Sequence, residues 1–189
     1  MNESDVRRPF LTGDKVYLRG LTRDDVDGPW LTWFNDREVT RYMYNGGYPT
    51  TREGHLAFYE STCVNNPDHL VLAIIEKATG QHVGNLGLHR ISWIYRRAEL
   101  GIVIGERAAR GKGFGAEACR LIVEHGFRRF NLHKIFARVE AENKAGVRMF
   151  EKAGFKTEAV LKEEIIRDGG FYDSVYMSVF ARDYFPPRG

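Results

Sequence analysis

The sequence predicts a single α/β (α+β) domain in which a mixed, mostly antiparallel sheet carries helices on both faces. Hydrophobic stretches of strand length alternate with stretches of helical periodicity, and three strand-like stretches follow one another through short connectors. No repeat or linker divides the 189 residues, a length suited to one packed core and short for two. We therefore assign residues 1–189 to one domain.

The N-terminal part predicts one strand followed by two helices. Residues 15–21 (KVYLRGL) alternate between apolar and polar side chains, as a half-buried strand does. The segment DDVDGPWLTWFND, with acidic residues at its start, predicts the first helix. After the loop-like RYMYNGGYP, Thr50 and Glu53 form a capping-box pattern, so a second helix is expected from Thr51 to Val64.

The rest of the chain predicts a meander and then alternating helices and strands. Short connectors join three hydrophobic stretches, residues 69–77, 83–95 and 98–105, as in an antiparallel meander. An amphipathic helix over residues 113–130 follows. The remaining elements are the strand KIFARVE, the helix KAGVRMFEKAG ended by its glycine, and the strands AVLKEEIIR and FYDSVYMSVF around a DGG turn.

The loop ARGKGFG, residues 109–115, joins the strand that ends at Gly105 to the long helix. Backbone N–H groups at a helix N-terminus lack intrahelical partners and lie at the positive end of the helix dipole. Glycines let an anion approach these groups, and Arg110 and Lys112 add positive charge. The loop therefore predicts a phosphate site; the alternative is a glycine-relieved turn with solvated basic side chains.

Two other phosphate-binding patterns compete for this loop. A Walker A loop is excluded because five residues separate Gly105 from Gly111, and Lys112 precedes a glycine instead of Ser or Thr. The dinucleotide pattern G-x-G-x-x-A occurs from Gly111 and from Gly113, but the turn after the strand is longer than that pattern needs. A nucleotide-dependent oxidoreductase is thus the most distant alternative.

Two motifs in order resemble the GNAT acyltransferase superfamily. The segment RGKGFG matches its pyrophosphate motif R/Q-x-x-G-x-G/A through Arg110, Gly113 and Gly115, and NKAGVRMFEKAGF (143–155) resembles its second coenzyme motif. The resemblance covers nearly the whole chain and is closest to the RimJ/RimL-like and spermidine acetyltransferase branch. It implies the GNAT fold, with six to seven strands in a mostly antiparallel sheet.

The resemblance also implies acetyl-CoA as cosubstrate, bound where two parallel strands splay apart. Backbone groups of Ile102, Val103 and Ile104 are expected to pair with the pantetheine arm, and Asn143 to contact the coenzyme near it. Backbone N–H groups of the loop are expected to bind the pyrophosphate. The remaining predicted coenzyme contacts are Arg110, Gly111, Lys112, Gly113, Phe114, Gly115 and Phe150.

Acetyl transfer to an amine requires a base, because most amines are ammonium ions at neutral pH. Glu99 is the candidate: it begins the strand that leads to the loop, at the position of the base glutamate in some enzymes of the superfamily. It would relay the proton through water. The alternative is a carboxylate paired with Arg96, Arg97 or an arginine on another strand.

The chain departs from many relatives at two positions. Where they carry a tyrosine that protonates the leaving thiolate this chain has Phe150, and where a serine is frequent it has Gly146. Thiolates leave readily because thiol pKa values are about 8.5, so the acid is dispensable. Cys63 and Cys119 are unsuited as nucleophiles, which favours direct transfer in a ternary complex over an acyl-enzyme.

The acceptor is expected to contact the early loop region, whose mixture of aromatic and polar residues suits a sugar or a peptide. The candidate contacts are Trp33, Asn35, Tyr42, Tyr44 and His89. The alternatives are a core role for Trp33 and a hydrogen-bonded structural role for His89. A small-molecule amine such as an amino sugar is favoured over a polyamine or a protein N-terminal amine of the ribosomal alanine type. A non-catalytic, acetyl-CoA-binding regulatory module is the alternative of another class.

Composition and residue spacing limit the classes of partner that the chain is expected to bind. The net charge of +3 is spread along the chain, which disfavours nucleic acid, and no stretch predicts a membrane span. The histidines and two cysteines show no metal-ligand spacing, so no metal is assigned. These features predict a cytoplasmic protein, and edge strands of the sheet are compatible with a homodimer.

Overall fold

A computed structural model describes residues 7–64 and 66–185, apart from the side chains of Tyr44 and Asn45. Its sheet has eight strands in the spatial order β1-β2-β3-β4-β5-β6-β8-β7, with every neighbouring pair antiparallel except β5 and β6. The strands are β1 Leu11–Thr12, β2 Val16–Gly20, β3 Leu70–Glu76, β4 His82–Ser92, β5 Arg97–Ile104, β6 Lys134–Glu140, β7 Lys156–Arg167 and β8 Gly170–Phe180.

Six α-helices accompany the sheet in the described part of the chain: α1 Pro29–Asn35, α2 Arg37–Thr40, α3 Arg52–Phe58, α4 Phe114–Arg128, α5 Lys144–Lys152 and α6 Ala181–Tyr184. A π-helical turn at Tyr59–Cys63 extends α3, and 3-10 turns lie at Arg23–Asp27, Tyr44–Gly47 and Arg107–Ala109. The predicted mixed sheet and meander are confirmed.

Four predicted details were wrong. The sheet has eight strands because β1, two residues long, is too short to show alternation. The first helix is split before Pro29, since proline begins helices readily and cannot continue a preceding one. The cap of α3 is Thr51, whose hydroxyl accepts a hydrogen bond from the Gly54 N–H at 3.1 Å, rather than Thr50. Strand β4 ends at Ser92, because the chain turns between it and Arg96, a residue with a positive φ of 51°.

Alternate residues of β3 show that both faces of the sheet are covered. Leu72 and Ile74 lie in a core cluster with buried residues of α4, such as Ile122. Val71, Ala73 and Ile75 lie in a second cluster with Trp30 and Trp33 of α1. Successive strand side chains point to opposite faces, so the two clusters lie on opposite sides of the sheet. Helices therefore pack on both faces, as predicted.

The parallel pair β5 and β6 separates partway along its length. The two strands pair at Arg97 with Lys134, Ala98 with Ile135 and Glu99 with Phe136. Beyond these positions β5 continues to Ile104 alongside β4, and β6 continues to Glu140 alongside β8. The two strands thus bound an opening, here called the cleft, whose closed end is the pair Glu99 and Phe136.

Candidate active site

The loop of residues 109–115 has a conformation that depends on glycine. Gly111 has a φ of +77°, and Gly113, the N-cap of α4, has a φ of +88°. These angles strain any side-chain-bearing residue. Gly111, Lys112 and Gly113, which lead into the 15-residue α4, are all exposed, so an anion can approach the backbone N–H groups of these three loop residues.

Gly115 allows α4 and α5 to approach each other beside the cleft. A Cβ atom at Gly115 would lie 2.6 Å from the sulfur of Met149, a contact that real Cβ atoms do not make. Asn143 caps α5, and its side-chain oxygen accepts a hydrogen bond from the Gly146 N–H at 2.9 Å. Phe150 is 5% exposed and contacts Phe155 edge-to-face at 5.1 Å. The second motif thus positions a helix against the loop.

The predicted pantetheine contacts line the cleft. Gly101, Ile102, Val103 and Ile104 are all partly exposed, unlike Ala98 and Leu100 earlier in β5, which are buried. Because β6 has already diverged at this point, one edge of β5 has no strand beside it. An edge with free backbone groups can pair with an extended amide chain. The cleft and the loop together therefore fit the pantetheine and pyrophosphate of coenzyme A.

Two carboxylates near α2 hold the basic side chains of the loop region. Arg110 pairs with Glu38 at 2.8 Å, and its Nε donates to the Ile104 carbonyl at 3.3 Å. Arg107 pairs with Glu38 at 2.7 Å and with Asp36 at 3.3 Å. The segment after α1 is thereby tied to the coenzyme loop. This contact could not be predicted from local sequence patterns, because 72 residues separate Glu38 from Arg110.

Glu99 lies at the closed end of the cleft between two guanidinium groups. Its carboxylate oxygens accept hydrogen bonds from Arg90 at 2.5 Å and from Arg138 at 3.0 Å, and its side chain is 16% exposed. The hydrogen bond to Glu99 raises the pKa of the Arg138 guanidinium. Arg138 lies on β6. Arg90 lies on β4, where the register of the β4–β5 pairing shifts between His89 and Ser92, and it has a φ of +50°. Pairing with an arginine of another strand is the alternative expected for Glu99 from the sequence, which did not identify the arginine.

His89 lies directly opposite Glu99 in the β4–β5 register, and therefore on the same face of the sheet. Its ring covers Gly87 and Gly101, since a Cβ on either glycine would lie within 3.5 Å of His89 atoms. Its Nδ1 lies 3.1 Å from Nδ1 of His69, so one ring donates a hydrogen bond to the other. Burial lowers the pKa of both histidines, that of His89 to about 4. This hydrogen-bonded pair agrees with the structural alternative for His89.

The predicted acceptor residues of the early segment are divided among different roles. Trp33 is 5% exposed and packs on Gly105, where a Cβ would lie 2.0 Å from its ring, so it is a core residue as the alternative interpretation expected. Asn35 closes the loop after α1 by exchanging hydrogen bonds with the backbone of Thr50 at 2.8 and 3.0 Å. Tyr42 is 37% exposed and lies 5.3 Å from the Arg167 guanidinium. The side chain of Tyr44 is outside the described part of the structure.

The cysteines are poorly suited to nucleophilic chemistry. Burial raises the pKa of Cys63 to about 12 and that of the fully buried Cys119 above its ordinary range. Both are free thiols. Over residues 7–64 and 66–185, no set of three His, Cys, Asp or Glu side chains is arranged to hold a metal ion. Among the helices described, none has the length and apolar character needed to cross a membrane.

Comparison with known proteins identifies the family that the chain resembles. The family model described as "Acetyltransferase (GNAT) domain" matches residues 15–156. A Bacillus subtilis protein described as "Uncharacterized N-acetyltransferase YoaA" is 30% identical over 177 residues, which cover 93% of this chain and 99% of that protein. Spermidine N(1)-acetyltransferase of Escherichia coli K12 is 28% identical over 172 residues, 89% of this chain and 88% of the relative.

A solved structure extends the comparison to the fold. Spermidine N-acetyltransferase from Vibrio cholerae, in complex with CoA and spermine, superposes with a TM-score of 0.81 at 25% identity. The match covers 91% of this chain and 99% of that one.

Proposed function

Because this chain belongs to the GNAT family and is an acetyl-CoA-dependent N-acetyltransferase, we propose that its acceptor is a small-molecule primary amine, with an amino sugar favoured. The observation that carries the proposal is the position of Glu99 at the closed end of the cleft, on the sheet face opposite α4. Transfer is direct, in a ternary complex. We place the chain in the RimJ/RimL-like branch of the family.

Glu99 is proposed as the group that accepts the amine proton. Acetyl-CoA supplies the thioester, whose carbonyl carbon is attacked by the amine while the C–S bond breaks. The Glu99 carboxylate takes the proton from the ammonium form of the acceptor, directly or through water, before the attack. Arg90 and Arg138 hold the carboxylate in one orientation through separate oxygens. A backbone N–H near Val103 or Ile104 is proposed to donate to the carbonyl oxygen.

No side-chain acid is required at the positions where many relatives carry one. The phenyl ring of Phe150 has no ionisable proton and Gly146 has no side chain, so neither donates a proton to the thiolate. Tyr176 lies on the same sheet face as Glu99, but it stacks on Phe136 at 4.9 Å and burial raises its pKa. The thiolate is stable enough near neutral pH to leave unprotonated, and the second proton of the attacking nitrogen passes to water as the amide forms.

The charges around Glu99 favour an acceptor other than a polyamine. Among the described residues of this face, each nearby carboxylate already has a basic partner: Glu99 with Arg90 and Arg138, Glu158 with Lys134 at 2.7 Å, and Glu164 with Arg138 at 4.0 Å. A chain of ammonium groups would have to displace these arginines and lysines. If the acceptor instead carries one amine together with hydroxyl or phosphate groups, the arginine and lysine side chains can donate hydrogen bonds to those groups.

A thiol-release assay with three classes of amine tests the acceptor. Wild-type protein with acetyl-CoA is expected to release CoA with an amino-sugar nucleotide and not with spermidine or with a peptide N-terminus. Release with spermidine alone would overturn the amino-sugar assignment in favour of the activity named for the relatives. Binding of acetyl-CoA without release from any amine would favour the regulatory module.

A homo-oligomer is proposed from the edge of the sheet. Strand β7 is an edge strand whose residues are almost all exposed, including Val160 at 47%, Leu161 at 39% and Ile166 at 69%. Exposed apolar edge strands are frequent sites of association. Light scattering coupled to gel filtration tests this proposal, and a mass equal to one chain would contradict it.

A further inference from the structure

The ammonium group of Lys15 lies on the coenzyme loop although 97 residues separate it from the loop in sequence. Its Nζ donates to the Lys112 carbonyl at 3.1 Å, and it lies 3.7 Å from the position of a Cβ on Gly113. Lys15 is exposed, as are Gly111, Lys112 and Gly113 beside it. Lys15 therefore adds a positive charge beside the exposed loop residues that lead into α4.

Buried Glu117 fixes the turn that carries Lys15. Its carboxylate accepts hydrogen bonds from the backbone N–H groups of Lys15 at 2.9 Å and Val16 at 3.4 Å. A Cβ on Gly13 would lie 2.1 Å from the same carboxylate oxygen, so the turn packs tightly on the first turn of α4. The Lys15 backbone and the loop thus have a defined spacing before any ligand binds.

Lys15 differs from the other loop cations in having no acidic partner. Arg110 is paired with Glu38, and Lys112 lies 3.5 Å from a carboxylate oxygen of Glu76. Among the described residues, no carboxylate lies within ion-pairing distance of Lys15, whose one side-chain hydrogen bond is to a carbonyl. An ammonium group has three donor hydrogens, so two remain for a ligand.

We propose that Lys15 is a coenzyme-binding residue that contacts a phosphate group of coenzyme A. The inference rests on the proposed coenzyme role of the loop. Coenzyme A carries phosphate at two places, the diphosphate bridge and the 3′-phosphate of its ribose, and Lys15 offers the same charge-assisted hydrogen bonds to either. The segment lies outside both recognised motifs, which is why sequence analysis missed it.

Calorimetric titration with CoA and with 3′-dephospho-CoA tests the proposal. Lys15→Gln is expected to weaken CoA binding about tenfold, and Lys15→Arg to stay within about threefold of wild type. Lys156→Gln removes the same charge from an exposed position on β7 and is expected to change CoA affinity less than about twofold. If the loss persists with 3′-dephospho-CoA the contact is to the diphosphate; if it disappears the contact is to the 3′-phosphate.

The kinetic signature separates binding from chemistry. Lys15→Gln is expected to raise KM for acetyl-CoA while leaving kcat unchanged, since its contact is the same in the ground and transition states. Equal CoA affinities for Lys15→Gln and Lys156→Gln would overturn the inference, and so would a loss of kcat without a change in KM. A wild-type protein that binds no CoA would instead overturn the proposed role of the loop itself.

Discussion

The two ends of the cleft are built from different parts of the chain. At the coenzyme end, backbone conformation carries the geometry: Gly113 has a φ of +88°, and Gly115 lets two helices meet. At the acceptor end, side chains from separate strands carry it, with Glu99 between Arg90 and Arg138. The geometry of the coenzyme end is determined by consecutive residues, whereas the geometry of the acceptor end depends on strand register. Perturbing each end separately tests this difference.

The largest effect is expected from Glu99→Gln. Loss of the general base should lower kcat about 100-fold or more, because the acceptor stays an ammonium ion. Affinity for CoA, measured by calorimetry, should change little, since the coenzyme end is intact. Glu158→Gln removes a carboxylate from a comparable ion pair with Lys134 and should leave kcat within about threefold. Equal activity of Glu99→Gln and Glu158→Gln would reduce Glu99 to a structural ion-pair partner.

A second prediction concerns the aromatic side chains through which α1 and α3 pack against each other. His55 is 3% exposed, its Nδ1 has no hydrogen-bond partner in the described structure, and it contacts Trp30 edge-to-face at 3.9 Å. Burial lowers the pKa of His55 from 6.5 to about 4. The unfolded chain therefore binds the proton more readily, so stability is full above pH 6.5 and is lost as the pH falls toward 4.

Denaturant unfolding at pH 7 and pH 5 measures this effect. Wild type should lose about 2 kcal/mol of unfolding free energy through His55 between these values, and His55→Phe should lose correspondingly less. The same slope in His55→Phe and wild type would show that His55 is not protonated on unfolding in this range.

The loop provides a third, smaller effect. Gly113→Ala places a Cβ at ordinary van der Waals distance, 3.7 Å, from the Lys15 Nζ, but at a φ of +88°, so the substitution strains the backbone by about 1–2 kcal/mol. Relaxation of that strain moves the N–H groups, and CoA affinity should fall about tenfold. Gly80→Ala is the matched control, with a φ of +71° and nothing within 4 Å, in the turn between β3 and β4. Gly80→Ala should lower the free energy of unfolding by a similar amount and should bind CoA with the wild-type affinity.

The same contrast explains how far the sequence could predict the site. The loop and the helix α5 with its terminal glycine were predicted because glycine placement and helical periodicity are local properties. The pairing of Glu99 with Arg90 and Arg138 was not, since it requires the register of β4, β5 and β6, which short-range patterns do not encode. The contact of His69 with His89 is similar: 20 residues separate them in sequence, and strand pairing brings them together.

Acceptor residues were the least predictable, because the side chains that suit a ligand also suit a core. Trp33 has the aromatic surface of a binding wall, yet it fills the space left by Gly105. Asn35 has the donors of a sugar contact, but both are used on backbone carbonyls, those of Leu31 and Thr50. Residue type alone does not distinguish these roles, which are decided by burial and by competing partners.

The smallest effect tests whether the two ends are linked. Glu38, in α2, pairs with Arg110 of the coenzyme loop, so a bound pyrophosphate and the Glu38 carboxylate would compete for the same guanidinium. Because exposed ion pairs contribute about 0.2–1 kcal/mol, Glu38→Gln should tighten CoA binding by about two- to threefold. Glu60→Gln removes an exposed ion pair between the π-helical turn after α3 and Arg23 of the first 3-10 turn, and should not change CoA affinity. Weaker CoA binding in Glu38→Gln would show that Glu38 orients Arg110 for the coenzyme instead of competing with it, and the acceptor segment would then help to build the coenzyme end.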